Sequence, residues 1–259
     1  MAKTEIKKVE PGQVPAFMQE SIGEVAGMGN STSASDNTLP FLAIIQKGSP
    51  QLDRQKPEYI PEAKEGMLID TATSDIWDGD EGLEVIPFAY QKNFVEWVPR
   101  EDGGGYVATH PFDLDLARKM GGKRDDKQRV ILPSGNQLVE TAYTFVFVPS
   151  VMAPMIIGAS STALRPMRDW MSKRNRVYVG GKQAPAFARS YLAKTVYNSN
   201  DAGSWYNWKI ADVDWVQDPE LFQQMLNMAK SAAAGEMQIG RPPEDLDSAD
   251  SDGDDGIPV

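Results

Sequence analysis

From residue 160 to residue 210 the chain carries nine Lys or Arg residues against two acidic ones, interleaved with eight aromatic rings. That mixture suits single-stranded nucleic acid. Unpaired bases expose their faces, and each base stacked on an aromatic ring gains about 1–3 kcal/mol. The phosphates between them need cations, and the counterions they release make affinity fall with salt. Neither contact reads base identity strongly, so the segment predicts a sequence-tolerant binder.

The stretch AFARSYLAKTVYN–SNDAG–SWYNWKIAD predicts two strands joined by a hairpin turn. Alternation puts Phe187, Arg189, Tyr191, Thr195 and Tyr197 on one face of the first strand, with Ala188, Leu192, Lys194 and Val196 on the other. The second strand divides into Trp205, Asn207 and Lys209 against Tyr206, Trp208 and Ile210. In this reading Phe187, Tyr191, Tyr197, Trp205 and Trp170 stack on bases, with Tyr178 beside them. Arg165, Arg168, Lys173, Arg174, Arg176, Lys182, Arg189, Lys194 and Lys209 neutralise phosphates. For any single ring a core position is the competing reading, because buried aromatics are the norm.

Catalytic alternatives find few residues. The chain has one histidine, His110, and no cysteine. Without a Gly-x-Ser-x-Gly motif either, no nucleophilic triad is expected, nor is a thiolate zinc site. Gly103–Gly105 lacks the strand-to-helix context of a dinucleotide loop. Asp75–Gly82 is acidic but lacks the spacing and closing Glu of a calcium loop. Asp212 and Asp214, on one strand face, form with Glu140 the best carboxylate set. They support an alternative as a metal-dependent nuclease or recombination enzyme. A virion or scaffold protein whose basic segment meets other subunits is another. The preferred expectation is a non-enzyme with no cofactor and no metal.

The net charge of -11 hides an uneven distribution. Residues 118–129, RKMGGKRDDKQR, form a second basic island, read as a loop able to close over a bound strand or to stay solvated. Local field rather than total charge decides whether an anion is attracted. Residues 244–259, EDLDSADSDGDDGIPV, hold seven acidic residues, no basic one and an apolar tip. Such a segment is expected to stay disordered and to act as a tethered polyanion, or simply as a solubilising tail.

The elements that must position these residues are mainly strands. LPFLAIIQKG reads as a buried strand or short helix, and LEVIPFAYQKNFVEWV as a long strand bent by Pro87. HPFDLDLARKMGG reads as a short helix starting near Pro111. QLVETAYTFVFV, apolar on both faces, reads as a central strand. STALRPMRDWMSKR reads as a helix capped by Ser161 or Thr162, with Pro166 in its first turn. Asp218 caps a last helix with Pro219 at its first position. The expected class is mainly β with helices (α+β), a small β-barrel or curved sheet with helical additions. The expected organisation is a flexible arm over 1–37 with a short helix near Val14–Val25, a binding domain over 38–240, and an acidic tail over 241–259. MAKTEIKKVEPGQ has no apolar signal core and no run reaches a membrane span, so a soluble cytoplasmic protein without membrane contact is expected.

The ending DGDDGIPV resembles the tails of bacterial and bacteriophage single-stranded DNA-binding proteins, in which an Asp-rich run precedes Ile-Pro and a terminal aromatic. Asp254, Asp255, Ile257 and Pro258 match; Gly256 interrupts the acids and Val259 replaces the aromatic. LPFLAIIQKGSPQL, VIPFAYQKNFVEWVPREDGGGY and SSTALRPMRDW are similar to segments of phage members of that class. The resemblance implies an OB-fold core, no catalysis, and protection of single strands during phage DNA replication or recombination in the host cytoplasm. It also implies that Asp252, Asp254, Asp255, Ile257, Pro258 and Val259 recruit replication or recombination proteins. Met225, Leu226 and Met228 on the last helix are expected to meet either the core or a second copy in a homo-oligomer.

Overall fold

The computed structural model describes residues 38–126, 128–201 and 203–243. The expected N-terminal arm and its helix, and the acidic tail from Glu244 onward with its partner-binding tip, lie outside the described residues.

Fifteen strands occur among the described residues: β1 Thr38–Leu39, β2 Leu42–Ile44, β3 Leu68–Asp70, β4 Ile76–Trp77, β5 Leu83–Trp97, β6 Tyr106–Pro111, β7 Lys123–Arg124, β8 Val130–Ile131, β9 Gln137–Val148, β10 Ala153–Ser160, β11 Tyr178–Val179, β12 Lys182–Gln183, β13 Arg189–Asn200, β14 Gly203–Trp215 and β15 Gln238–Ile239. The main helices are Leu164–Arg174 and Pro219–Ala233, with a single turn at Leu116–Lys119. The architecture is mostly β with a few helices.

The main sheet runs β14-β13-β5-β9, with β10 on β9, and is antiparallel. β5 is the hinge of this arrangement. Its start, Leu83–Val85, pairs with β13, and from Ile86 onward it pairs with β9. A register shift between Pro87 and Ala89 lets one strand serve both, because a bulge bends and twists the chain locally. The sheet therefore curls. A small sheet, β2-β3-β4, spans its two ends. At one end Phe41 bridges Ile156 of β10. At the other, Gly79 accepts from the Thr195 amide (2.9 Å) and Gly66 from the Thr195 hydroxyl (2.7 Å).

Inside the curl lie Leu42, Leu68, Val85, Val146, Met155, Ile157, Tyr191 and Trp208. The helix Leu164–Arg174 adds Met167 and Trp170 to this core. On the outer face Phe88, Tyr143, Phe145 and Phe147 are covered by Phe187 and by the helix Pro219–Ala233 through Met225. β9 is thus buried on both faces, as its sequence predicts. This curled sheet is compatible with an OB-like α+β fold.

Three local expectations are corrected. His110 and Pro111 belong to β6, where His110 pairs with Phe94, and the helical turn begins only at Leu116. Exposure alternates along β6 as on a half-buried edge strand, and an edge tolerates a proline that cannot donate. Neither Ser161 nor Thr162 caps the following helix. Both form a 3₁₀ turn leading into it, and its cap residue is Ala163. LPFLAIIQKG gives two short strands rather than one element. At the last helix the Asp218 carboxylate accepts from the Glu220 amide at 2.8 Å and Pro219 is the first helical residue, as predicted.

Among the described residues, no helix is long and apolar enough to cross a membrane.

Candidate nucleic-acid interface

β13 and β14 pair from Asn200–Gly203 back to Tyr191–Asp212, and their register decides which side chains share a face. Tyr197 stands opposite Tyr206, with rings edge-to-face at 5.5 Å, and Thr195 opposite Trp208. Since Tyr191 and Trp208 are core residues, this is the inward face. The outward face pairs Lys194 with Lys209, Val196 with Asn207, and Asn198 with Trp205.

The helix Leu164–Arg174 packs Met167 and Trp170 into the inner core, and the turn before it runs alongside β14. Asn207 donates from Nδ2 to the Thr162 carbonyl at 3.1 Å, pinning β14 to the turn before the helix. A groove of about 660 Å³ remains between them, lined among others by Arg165, Lys173, Asn198, Trp205 and Lys209. Arg165, Lys173 and Lys209 are exposed. Among the described residues none of the three makes an ion pair. One carboxylate, Asp169, also lines the groove. Uncompensated cations on a concave surface raise the local positive potential and concentrate anions there.

The predicted stacking rings divide. Tyr178 and Tyr197 are exposed at 62% and 57%, and Trp205 is half-buried in the groove wall. Phe187, Tyr191 and Trp170 are core residues at 6%, 2% and 2%. Phe187 packs edge-to-face on Phe222 (5.1 Å) and Tyr191 on Trp170 (5.3 Å). Their inner faces complete two cores, so they offer no free stacking surface. Burial accordingly raises the Tyr191 phenol above its usual range.

The predicted cations divide too. Arg174 is buried, with its guanidinium 5.1 Å from the Trp170 ring, and burial pulls it below the usual arginine range. Arg168 reaches Glu140 at 3.4 Å, where Lys92 also binds. Arg189 lies 3.9 Å from Asp212 and over the Trp215 ring. Lys194 donates to the Asp80 carbonyl at 2.7 Å. Arg176 and Lys182 are exposed around the short β11-β12 hairpin that carries Tyr178.

Three cations of the island at 118–129 are paired with carboxylates of the island and its neighbours. Arg118 pairs with Asp115, Lys119 with Asp113, and Arg129 with Asp125 and Glu101. The carboxylates of the metal-dependent alternative are not assembled. Glu140 is held by Lys92 and Arg168, Asp212 faces Arg189, and among the described residues no group of three His, Asp or Glu is placed to hold a metal ion.

Sequence reasoning missed Ser161, Asn198 and Asn207 in the groove lining. Asn198 and Asn207 follow from alternation once Trp205 is known to face outward. Ser161, at a strand-to-helix junction with φ +46°, leaves no signal in composition.

No curated protein and no solved structure matches the chain. Residues 5–238 match the family model described as Pam3 phage gp34-like protein. Because that match takes in nearly the whole described fold, the chain belongs to the Pam3 phage gp34-like family of bacteriophage proteins.

Proposed function

We propose that this protein binds single-stranded DNA with little sequence preference during phage DNA replication or recombination. The observation that carries the reading is the groove beside β14, lined by Trp205, where Arg165, Lys173 and Lys209 are exposed without ion-pair partners among the described residues. The strand order supports it. β5, β9 and β10 form a meander, a helix follows, and the β13-β14 hairpin returns to pair with β5. That order is compatible with an OB-like fold, a fold that commonly holds oligonucleotides. The outer face of β9 and β10 is covered by the last helix. In this reading DNA therefore lies beside the β13-β14 hairpin, along the groove that Trp205 lines.

The acidic tail competes with DNA for the cationic groove and, once displaced, recruits replication or recombination proteins. Removing residues 244–259 then tightens DNA binding, most at low salt.

Titration of tryptophan fluorescence with poly-dT and with duplex, at two salt concentrations, tests the reading. Quenching by the single strand, weakened by salt, absent with duplex and reduced in Trp205→Phe, is the expected result. Lack of any salt-sensitive response would favour the virion or scaffold alternative. Magnesium-dependent loss of labelled DNA, abolished in Asp212→Asn, would favour the nuclease.

A further inference from the structure

The helix that lines the groove leads directly into an exposed hairpin. Lys173 lines the groove, the helix stops at Arg174, and β11 begins at Tyr178. β11 and β12 pair Tyr178 with Gln183 and Val179 with Lys182. Gly180 and Gly181 join them with φ of +56° and +78°, the sign that a two-residue type I′ turn needs at both positions. The Val177 carbonyl accepts from the Ala184 amide at 2.8 Å and closes the base. A Cβ on either glycine would meet no atom within 4 Å, so these glycines answer to the turn and not to a packed neighbour.

Two short strands alone bury too little to be stable, and this pair buries neither of its large side chains. Tyr178 and Val179 are both more than half exposed. Charge points to what meets them. Residues 170–200 hold six Lys or Arg and no Asp or Glu. Arg176 and Lys182 are exposed, and among the described residues neither makes an ion pair. Gln183, which shares a face with Tyr178, donates to Asn175 just past the helix at 3.4 Å. The Tyr178 ring therefore stands on the side of the hairpin turned to the helix end. The cationic rim of the groove continues through Lys173 to Arg176 and Lys182, with an exposed ring beside them. That combination suits bases and the phosphates between them.

We propose that the β11-β12 hairpin is a second, separable contact for the single strand, reached where the strand leaves the groove past Lys173, with a base stacked on Tyr178 and phosphates on Arg176 and Lys182. The inference rests on the single-strand reading and adds a length requirement to it: an oligomer that only fills the groove misses the hairpin.

The test is binding of the full chain to labelled oligo-dT from about 4 to about 16 nucleotides, the range of site sizes on single OB folds, followed by anisotropy. The variants are Tyr178→Ala and the pair Arg176→Ala with Lys182→Ala. All three side chains are exposed, so each protein should keep the wild-type melting temperature. Wild-type affinity should step up once the oligomer spans groove and hairpin. Tyr178→Ala should bind the longest oligomer about tenfold more weakly and the shortest unchanged. The double variant should lower the salt slope by about 1.4 on the longest oligomer, at about 0.7 per contact, and leave it unchanged on the shortest. Wild-type binding by both variants at every length, or an equal loss at every length, overturns the second contact while groove binding stands. A change confined to the oligomeric state overturns it as well and assigns the hairpin to a second copy of the chain. Failure of the wild type to bind any oligomer removes the single-strand reading too.

Discussion

The side-chain amide of Gln46 grips the backbone of Tyr206 at both ends. Its Nε2 donates to the Tyr206 carbonyl at 2.8 Å, and its Oε1 accepts from the Tyr206 amide at 2.9 Å. A carboxamide here takes the place of a neighbouring strand. It joins the segment after β2 to β14, and so helps close the curled sheet around its core. Each such bond contributes about 1 kcal/mol net. Gln46→Ala should therefore destabilise the protein by about 2 kcal/mol, measured by urea denaturation. Gln46→Glu keeps the acceptor but loses the donor, and should leave the Tyr206 carbonyl unpaired at a similar cost.

Three cations without ion-pair partners among the described residues should act on DNA through phosphate alone. In the variant combining Arg165→Ala, Lys173→Ala and Lys209→Ala, the slope of log K against log salt should fall by about 2, at about 0.7 per contact on a single strand. Arg174→Met keeps a buried apolar stem and should leave that slope unchanged, because Arg174 is buried over the Trp170 ring rather than at the groove. A salt series by anisotropy with each protein separates the two outcomes.

Much of the framework is legible in the residues. The β-branched and aromatic runs that become β5 and β9 are long enough to declare strands, and β9, apolar on both faces, declares a central one. Asp218-Pro219 marks a helix start without help from tertiary structure. The hairpin alternation is legible as well, but which face is inward is not. Both faces of β13-β14 carry rings beside polar groups, with Tyr197 and Tyr206 on one and Trp205 and Lys209 on the other. The choice is made by distant segments: Gly66 and Gly79 pack on Thr195, and Thr162 holds Asn207. A Cβ on Gly79 would overlap the Gly66 carbonyl and the Thr195 hydroxyl, so this contact needs glycine for space alone. The edge strand at His110 escaped for a similar reason, since its pairing with β5 is non-local and outweighs the helical look of a proline followed by Leu and Ala.

Trp170 separates a structural role from a binding role. It is 2% exposed, packed on Tyr191 and under Arg174. Trp170→Ala should cost about 3–5 kcal/mol of stability, as large-to-small core substitutions do. Trp205→Ala, at a half-buried wall position, should cost much less stability and more DNA affinity. Thermal denaturation paired with poly-dT titration of both variants should show this crossover, and a Trp170→Ala protein of unchanged stability would contradict the packing.

Acid should weaken the fold through Glu96. This carboxylate on β5 is buried, which by itself disfavours its charge, yet hydrogen bonds from Asn136 and from His110, at 2.9 Å from Nε2, more than offset burial. Its pKa is held below the ordinary 4.5 in the folded protein. A carboxylate depressed in the folded state stabilises at every pH above its unfolded value, and that stabilisation is lost as pH falls through the folded value. Wild type should therefore exceed Glu96→Gln in stability at neutral pH, and the gap should close below about pH 4.5. Urea unfolding of both proteins across that range is the measurement, and parallel curves would show that the Asn136 and His110 contacts do not favour the ionised carboxylate.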